Sequence, residues 1–228
     1  MKRADFAVVF DMDGVIFDSE KAILDCWILV AEKYQIPDIR SSCIKCLGIT
    51  REESARVMKG IYGQEFPYAA YREEVSGLFR NLYGEGRLPL KTGARELLQA
   101  LREAGIPAGL ASSTGREIVC QELSDAGILS FFDRIVCGDM VANSKPDPEI
   151  YRKACEELGV RCENTYAIED SYNGIRSAFR AGLIPIMVPD LAPVTEEMEK
   201  LAKKILPSLK EAGEFMFQGS GLTEMRIS

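Results

Sequence analysis

The chain has 228 residues, of which 46% are hydrophobic and 28% charged, a composition that admits one large domain or a core with a smaller insert and excludes a disordered chain. A net charge of −7 disfavours loose attraction to nucleic acid or anionic membrane, and no apolar run reaches the ~18 residues that a spanning helix needs. The lack of any histidine removes Ser-His-Asp and Cys-His catalysis and HExxH zinc sites, and leaves acid–base chemistry to carboxylates, lysine, tyrosine or cysteine.

From the start, Met1-Lys-Arg-Ala-Asp5 meets an acidic residue at once, and the few apolar residues before Asp11 are too short for a signal-peptide core. A cytoplasmic protein is the expectation. Ala7 to Phe10 is an unbroken apolar run, as in a strand buried on both faces of a parallel sheet. Between Asp18 and about Lys91 the pattern turns helical, roughly over 20–35, 40–47, 51–62 and 68–82, with Thr50 to Glu53 as a capping box. This block, left through Gly84-Glu-Gly-Arg-Leu-Pro, reads as an inserted cap with a Gly/Pro-bearing hinge.

Beyond it, strands and helices alternate. Ala94 to Ala104 carries Leu97, Leu98 and Leu101 on one face and stops at Gly105, with Pro107 just beyond. Ile106 to Ala111 reads as a strand. Thr114-Gly-Arg-Glu117 fits a capping box for a helix running to about Ala126, and Arg134 to Cys137 is a short strand. Asp147 as N-cap with Pro148 at the first helical position opens a helix that Gly159 closes. Tyr166 to Ile168, Ser171 to Ala181 and Ile184 to Val188 give a strand, a helix and a last strand. Repeated βα units predict an α/β fold, a doubly wound parallel sheet with the helical block inserted: a core of residues 1–17 and 90–228 and a cap of 18–89.

The seven cysteines are odd in number and without framework spacing, as for reduced thiols. Cys43 and Cys46 read as two half-buried thiols one helical turn apart, since a lone CxxC without histidine is weak evidence for zinc.

In an open α/β sheet ligands bind beyond the carboxyl ends of the strands. There the predicted elements place Asp11 and Asp13, then Ser112, Ser113 and Thr114, then Lys145, then Glu169 and Asp170. Taken singly, Asp13-Gly14 also reads as a hairpin turn, the hydroxyls as a helix cap, Lys145 as a solvated lysine and Glu169-Asp170 as a cap for the next helix. Jointly they bring four carboxylates to one edge, which is costly unless a cation intervenes. Mg²⁺, a hard ion with oxygen ligands, meets that cost, and with a lysine and hydroxyl donors it equips the edge for phosphoryl transfer. An aspartate can then be the nucleophile and form an aspartyl-phosphate.

These residues carry a resemblance. Phe10-Asp-Met-Asp-Gly14-Val-Ile-Phe-Asp-Ser-Glu20, Leu110-Ala-Ser-Ser113, Ser144-Lys-Pro-Asp-Pro-Glu-Ile-Tyr151 and Ile168-Glu-Asp-Ser-Tyr-Asn-Gly174 resemble, in order, the four motifs of the haloacid dehalogenase-like superfamily. The helical insert is similar to the cap of its β-phosphoglucomutase-like branch, so the likeness covers essentially the whole chain, and a Rossmann-like core is implied. It also implies Asp11 as nucleophile and Asp13 as general acid/base. Ser112 and Lys145 would hold the transferring group, and Gly14, Ser113 and Thr114 would lie against phosphate. Asp11, the Asp13 main-chain carbonyl, Asp170 and Glu169 (directly or through water) would bind Mg²⁺. Arg51, in Gly48-Ile-Thr-Arg51, resembles the cap arginine that meets the rest of the substrate, and Thr114, Gly115 and Arg116 lie where mutases of the branch grip a second phosphate. A histidine on the mutases' first cap helix is matched here by Ile23, which favours a phosphatase acting on a small phosphorylated metabolite, a sugar phosphate, over a sugar-phosphate mutase. A receiver-like phospho-acceptor is the alternative of another class, disfavoured by chain length and by the cap. The working expectation is a monomer with no nucleic-acid or membrane partner.

Overall fold

The computed structural model describes residues 6–47 and 49–219. The N-terminal reading of Met1 to Asp5, and Gly48 of the cap sequence, lie outside the described residues. Six strands, β1 (Ala7–Phe10), β2 (Ala108–Ser112), β3 (Arg134–Cys137), β4 (Thr165–Glu169), β5 (Ile184–Met187) and β6 (Lys204–Ile205), form one sheet in the order β3-β2-β1-β4-β5-β6. Every pairing is parallel, with Phe10 opposite Leu110 on one side and Ile168 on the other.

The chain winds outward from β1 twice, so the order reverses between β1 and β4. Side-chain alternation along each strand feeds both faces. Val8, Phe10, Leu110, Ile168 and Ile186 pack under α5 (Ala94–Glu103), α6 (Arg116–Asp125) and α10 (Leu209–Gly219). Val9, Ala111, Val136 and Ala167 pack under α7 (Glu149–Leu158) and α8 (Tyr172–Ala181). The fully buried runs of β1 and β2 follow from this double cover.

The helical block forms α1 (Ser19–Tyr34), α2 (Ile39–Ile44), α3 (Arg51–Tyr62) and α4 (Tyr68–Tyr83) around a cluster of its own. Trp27 and Tyr71 meet edge to face at 5.4 Å, and the Tyr71 hydroxyl donates to the Trp27 carbonyl at 2.5 Å. Both halves of the Thr50–Glu53 capping box form. The architecture is α/β with a helical cap, and among the described residues no helix is long and apolar enough to cross a membrane.

Several local expectations are corrected. Thr114 does not cap α6; Gly115 holds that position with no side-chain bond, because the Thr114 hydroxyl donates to Asp13 instead, 101 residues away. Pro148, not Asp147, is the cap residue of α7, while Asp147 accepts from the Glu149 amide at 3.0 Å. Ile184–Met187 is not the last strand: β6 adds an edge, and α9 (Glu196–Leu201) lies between them. Asp13-Gly14 makes a tight turn closed by Gly14 N–H to the Phe17 carbonyl at 3.0 Å, and Phe17 bridges onward to Leu90 rather than forming a hairpin. Helix α2 ends at Ile44, so Cys46 falls in the following turn, and Cys43 is buried rather than half-buried. Burial pushes the Cys43 thiol up to about 12, which keeps it protonated at neutral pH.

Candidate active site

Asp11 follows β1 directly, and its amide donates to the Ile168 carbonyl of β4 at 3.0 Å. That register sets it beside Glu169 and Asp170, at the reversal in strand order where α/β sheets open a crevice. One carboxylate oxygen from each of Asp11, Glu169 and Asp170 lies within 4.8 Å of the other two. Lys145 comes in from the loop before α7, its side chain 7% exposed. It donates to Asp11 Oδ1 at 2.5 Å, to Glu169 Oε1 at 2.7 Å and to the Ala111 carbonyl at 3.0 Å, which uses all three ammonium hydrogens.

Glu169 is the most committed of the carboxylates. Its Oε1 accepts from Lys145 and from the buried Tyr151 hydroxyl at 2.8 Å; its Oε2 accepts from the amides of Asp170 and Ser171 and from the Ser171 hydroxyl. So many donors leave its oxygens little free lone-pair capacity and make it an anchor for Lys145. Ser171 also caps α8 by accepting from Gly174 N. A Cβ at Gly174 would lie 1.8 Å from Glu169 Oε1, so only glycine lets helix and carboxylate approach this closely. Gly14 serves likewise: at φ +75° it turns the chain after Asp13, and a Cβ there would sit 2.2 Å from Asp170 Oδ2.

Asp13 is two residues beyond Asp11, held by the Thr114 hydroxyl at 3.2 Å. Ser112 is fully buried, and its Oγ accepts from the Thr114 amide at 3.1 Å. Ser113 is exposed at the same strand end. Arg116 does not reach this group: its guanidinium donates to the Ile135 carbonyl at 3.1 Å and its amide to Asp139. Arg51 begins α3 and lines a cap cavity of about 200 Å³ with Ile23, Trp27, Ser54, Tyr68 and Arg72.

The family model described as haloacid dehalogenase-like hydrolase matches residues 8–188. The chain belongs to this family. It is 31% identical over 177 residues to the phosphorylated carbohydrates phosphatase of Thermotoga maritima, covering 78% of this chain and 82% of that one. It is 33% identical over 197 residues to the β-phosphoglucomutase of Bacillus subtilis, covering 82% and 85%. A solved haloacid dehalogenase family hydrolase of Deinococcus radiodurans R1, with bound phosphate and sodium, shares 27% identity at a TM-score of 0.81, over 96% of this chain and 98% of that one.

The electrostatics of this hydrolase's site call for a cation. Burial drives the Asp11 carboxyl up from 3.8 to about 8, with Lys145 opposing and Glu169 and Asp13 adding to the rise. Burial raises Asp13 as well, against hydrogen bonds from Ser19 and Thr114. Asp170 is held well above the usual carboxylate range, first by burial and then by Glu20, Glu169 and Asp11. The Lys145 ammonium moves up too, because Asp11 and Glu169 together outweigh the cost of its burial. Buried carboxylates facing one another, with hard oxygen donors, fit a divalent ion, and such an ion would keep Asp11 ionised at neutral pH.

A pH dependence follows for the metal-free chain. Between 3.8 and about 8 the folded form holds a proton on Asp11 that the unfolded form has lost. Stability is therefore full below the lower value and declines with rising pH, by at most about 1.4 kcal/mol per unit for one group. In EDTA the melting midpoint at about pH 8 should lie roughly 5 °C below that at about pH 6, and a divalent ion should close the gap. Equal midpoints in EDTA would mean that the carboxylates are not held as described.

Sequence reasoning missed Tyr151, Ser19, Glu20, Lys91 and Asp190. Asp190 had a signal, since it follows the carboxyl end of β5, where the same search had already found the other acids. Lys91 donates to Asp18 Oδ1 at 3.4 Å and pairs with Asp190 Oδ1 at 2.8 Å.

Proposed function

We propose that the chain is a Mg²⁺-dependent phosphatase that hydrolyses a small phosphorylated metabolite, a sugar phosphate, through an aspartyl-phosphate on Asp11. The chain is a phosphoric monoester hydrolase on this reading. The observation that carries it is the meeting of Asp11, Lys145, Glu169 and Asp170 at the reversal in strand order. Two relatives named as a carbohydrate phosphatase and a phosphoglucomutase support a phosphosugar.

Asp11, Asp170 and the main chain of Asp13 would hold Mg²⁺, while Glu169, expected as a further ligand, has its oxygens taken up by five donors and would support the site through Lys145. When bound, the ion supplies charge neutralisation that lets a phosphate dianion approach the carboxylates. Asp11 attacks phosphorus, and the bond from phosphorus to the ester oxygen breaks as Asp13 protonates that oxygen. Lys145, already on Asp11, and Ser112 with the amide and hydroxyl of Ser113 carry the charge of the transferring group, with Gly14 admitting it closely; Thr114, expected against phosphate, instead gives its amide to Ser112 and its hydroxyl to Asp13. Asp13, now ionised, takes a proton from water, whose oxygen displaces Asp11 and releases phosphate. Residues 18–89 act as the cap, with Arg51 meeting the leaving portion of the substrate.

The relative named β-phosphoglucomutase raises mutase action as a second reading. A mutase must keep its phospho-aspartate from water until a sugar phosphate binds, which requires acid–base assistance coupled to cap closure. Ile23, on the cap cavity, has no proton to give or orient. With β-glucose 1-phosphate, phosphate release should therefore exceed glucose 6-phosphate formation, with or without a bisphosphate primer, and should vanish in EDTA. Primer-dependent glucose 6-phosphate with little free phosphate would establish the mutase, and full turnover in EDTA would remove Mg²⁺ from the mechanism.

A further inference from the structure

Beside the proposed Mg²⁺ position lies a second acidic group that the mechanism does not use. One carboxylate oxygen from each of Glu20, Asp170 and Asp190 lies within 4.8 Å of the other two. They come from different parts of the fold: the first turn of α1, the end of β4 and the loop after β5. The Asp190 side chain is only 10% exposed, and Lys91 satisfies its Oδ1 alone. Asp190 Oδ2 and Glu20 Oε2 are both buried and have no hydrogen-bond partner among the described residues. A buried carboxylate oxygen without a donor is costly, and here two members of one three-carboxylate group each carry such an atom. Asp11, Asp13, Asp18, Glu20, Glu169, Asp170 and Asp190 together face two ammonium groups, Lys145 and Lys91. One divalent ion at Asp11 and Asp170 leaves the Glu20–Asp190 side with Lys91, which Asp18 shares.

We propose that Glu20, Asp190 and the far side of Asp170 bind a second divalent cation of the hard, oxygen-seeking class, with Asp170 bridging the two ions. The donors are all carboxylate oxygens, the set that Mg²⁺, Mn²⁺ and Ca²⁺ prefer. The ion ties the first turn of α1, where the chain enters the cap, to the loop after β5, so it fastens the cap's entry to the sheet edge. The inference rests on the metal reading of Asp170, and counting ions separates the two.

The test is stoichiometry on the full chain, stripped with EDTA and dialysed free of it. Calorimetric titration with MgCl₂ should give two equivalents per chain. The isosteric variants Glu20→Gln and Asp190→Asn should each give one, with folding checked by circular dichroism. Loading with two equivalents of MnCl₂ should broaden the manganese EPR spectrum of the native chain through the neighbouring ion, and either variant should restore a resolved spectrum of one isolated ion. A single equivalent in the native chain overturns the proposal and leaves a proton shared by Glu20 and Asp190 in its place, while the first metal site stands. Two equivalents in both variants put the second ion elsewhere, which also overturns it. A second site that fills with NaCl or KCl but takes no second MgCl₂ overturns the divalent assignment. No binding at all removes both metal sites.

Discussion

Asp11→Asn should lower phosphatase turnover by on the order of 10⁴-fold or more, to the limit of detection, because on the proposed mechanism it replaces the atom that attacks phosphorus. The substitution is nearly isosteric, so the fold should survive it. Lys145 keeps Glu169 Oε1 and the Ala111 carbonyl as acceptors, and the amide oxygen of asparagine can still accept its third bond. The change also removes a buried carboxyl that is hard to ionise, so the metal-free variant should be no less stable than the parent at about pH 8. Two measurements decide the matter together. Trapping the native chain with a fluoride complex of aluminium or beryllium should place the adduct on Asp11, and the variant should form none. An adduct on Ser112, or turnover in Asp11→Asn within tenfold of the parent, would overturn the mechanism.

Asp13→Asn should slow both half-reactions, since on the proposed mechanism one carboxyl protonates the leaving oxygen and then deprotonates water. General acid–base assistance contributes about 10²–10⁴-fold, and a loss below about tenfold would count against the role. Thr114 gives a second handle, because its hydroxyl donates to Asp13 Oδ2. Removing it in Thr114→Val should leave Asp13 chemically intact but less well aimed, with kcat falling more than KM rises. A substrate with a good leaving group, such as p-nitrophenyl phosphate, needs little protonation of its leaving oxygen. For that substrate the first step in Asp13→Asn should recover much of its rate, while release of phosphate from Asp11 stays slow. An initial burst of nitrophenol followed by slow turnover is the expected trace, and its absence would mean that Asp13 does not serve the water step.

The sheet was legible wherever local pattern and tertiary demand agreed. Ala7 to Phe10 is apolar on both faces because helices cover both, and Gly159 ends α7 in the left-handed conformation that its place after the last helical residue implied. The carboxyl-end search found Asp11, Lys145, Glu169 and Asp170 because parallel strands deliver their ends to one edge whatever the sheet order is. Legibility failed where a side chain chose a partner far along the chain. Thr114 has the spacing of a cap, yet Asp13 holds its hydroxyl. Tyr151 has no local pattern that marks it, yet its hydroxyl donates to Glu169. Glu20 and Asp190, separated by most of the chain, have no shared pattern until α1 and the loop after β5 are placed. The strand β6 has two residues, too few for any periodicity to mark it.

The strand order also bears on how the hydrolase is made. β1 is made before the strands it pairs with, since its ladders require Val8 to pair with Ala108 and Val9 with Ala167. Loop closure over such separations is slow and must be met before the contacts reward it. The cap helices, joined by short connections, have far more local contacts and need not wait for the sheet. A nascent chain thus carries β1 unpaired, apolar on both faces, at least until β2 has been made. That interval exposes an aggregation-prone edge during which chaperone binding would matter most.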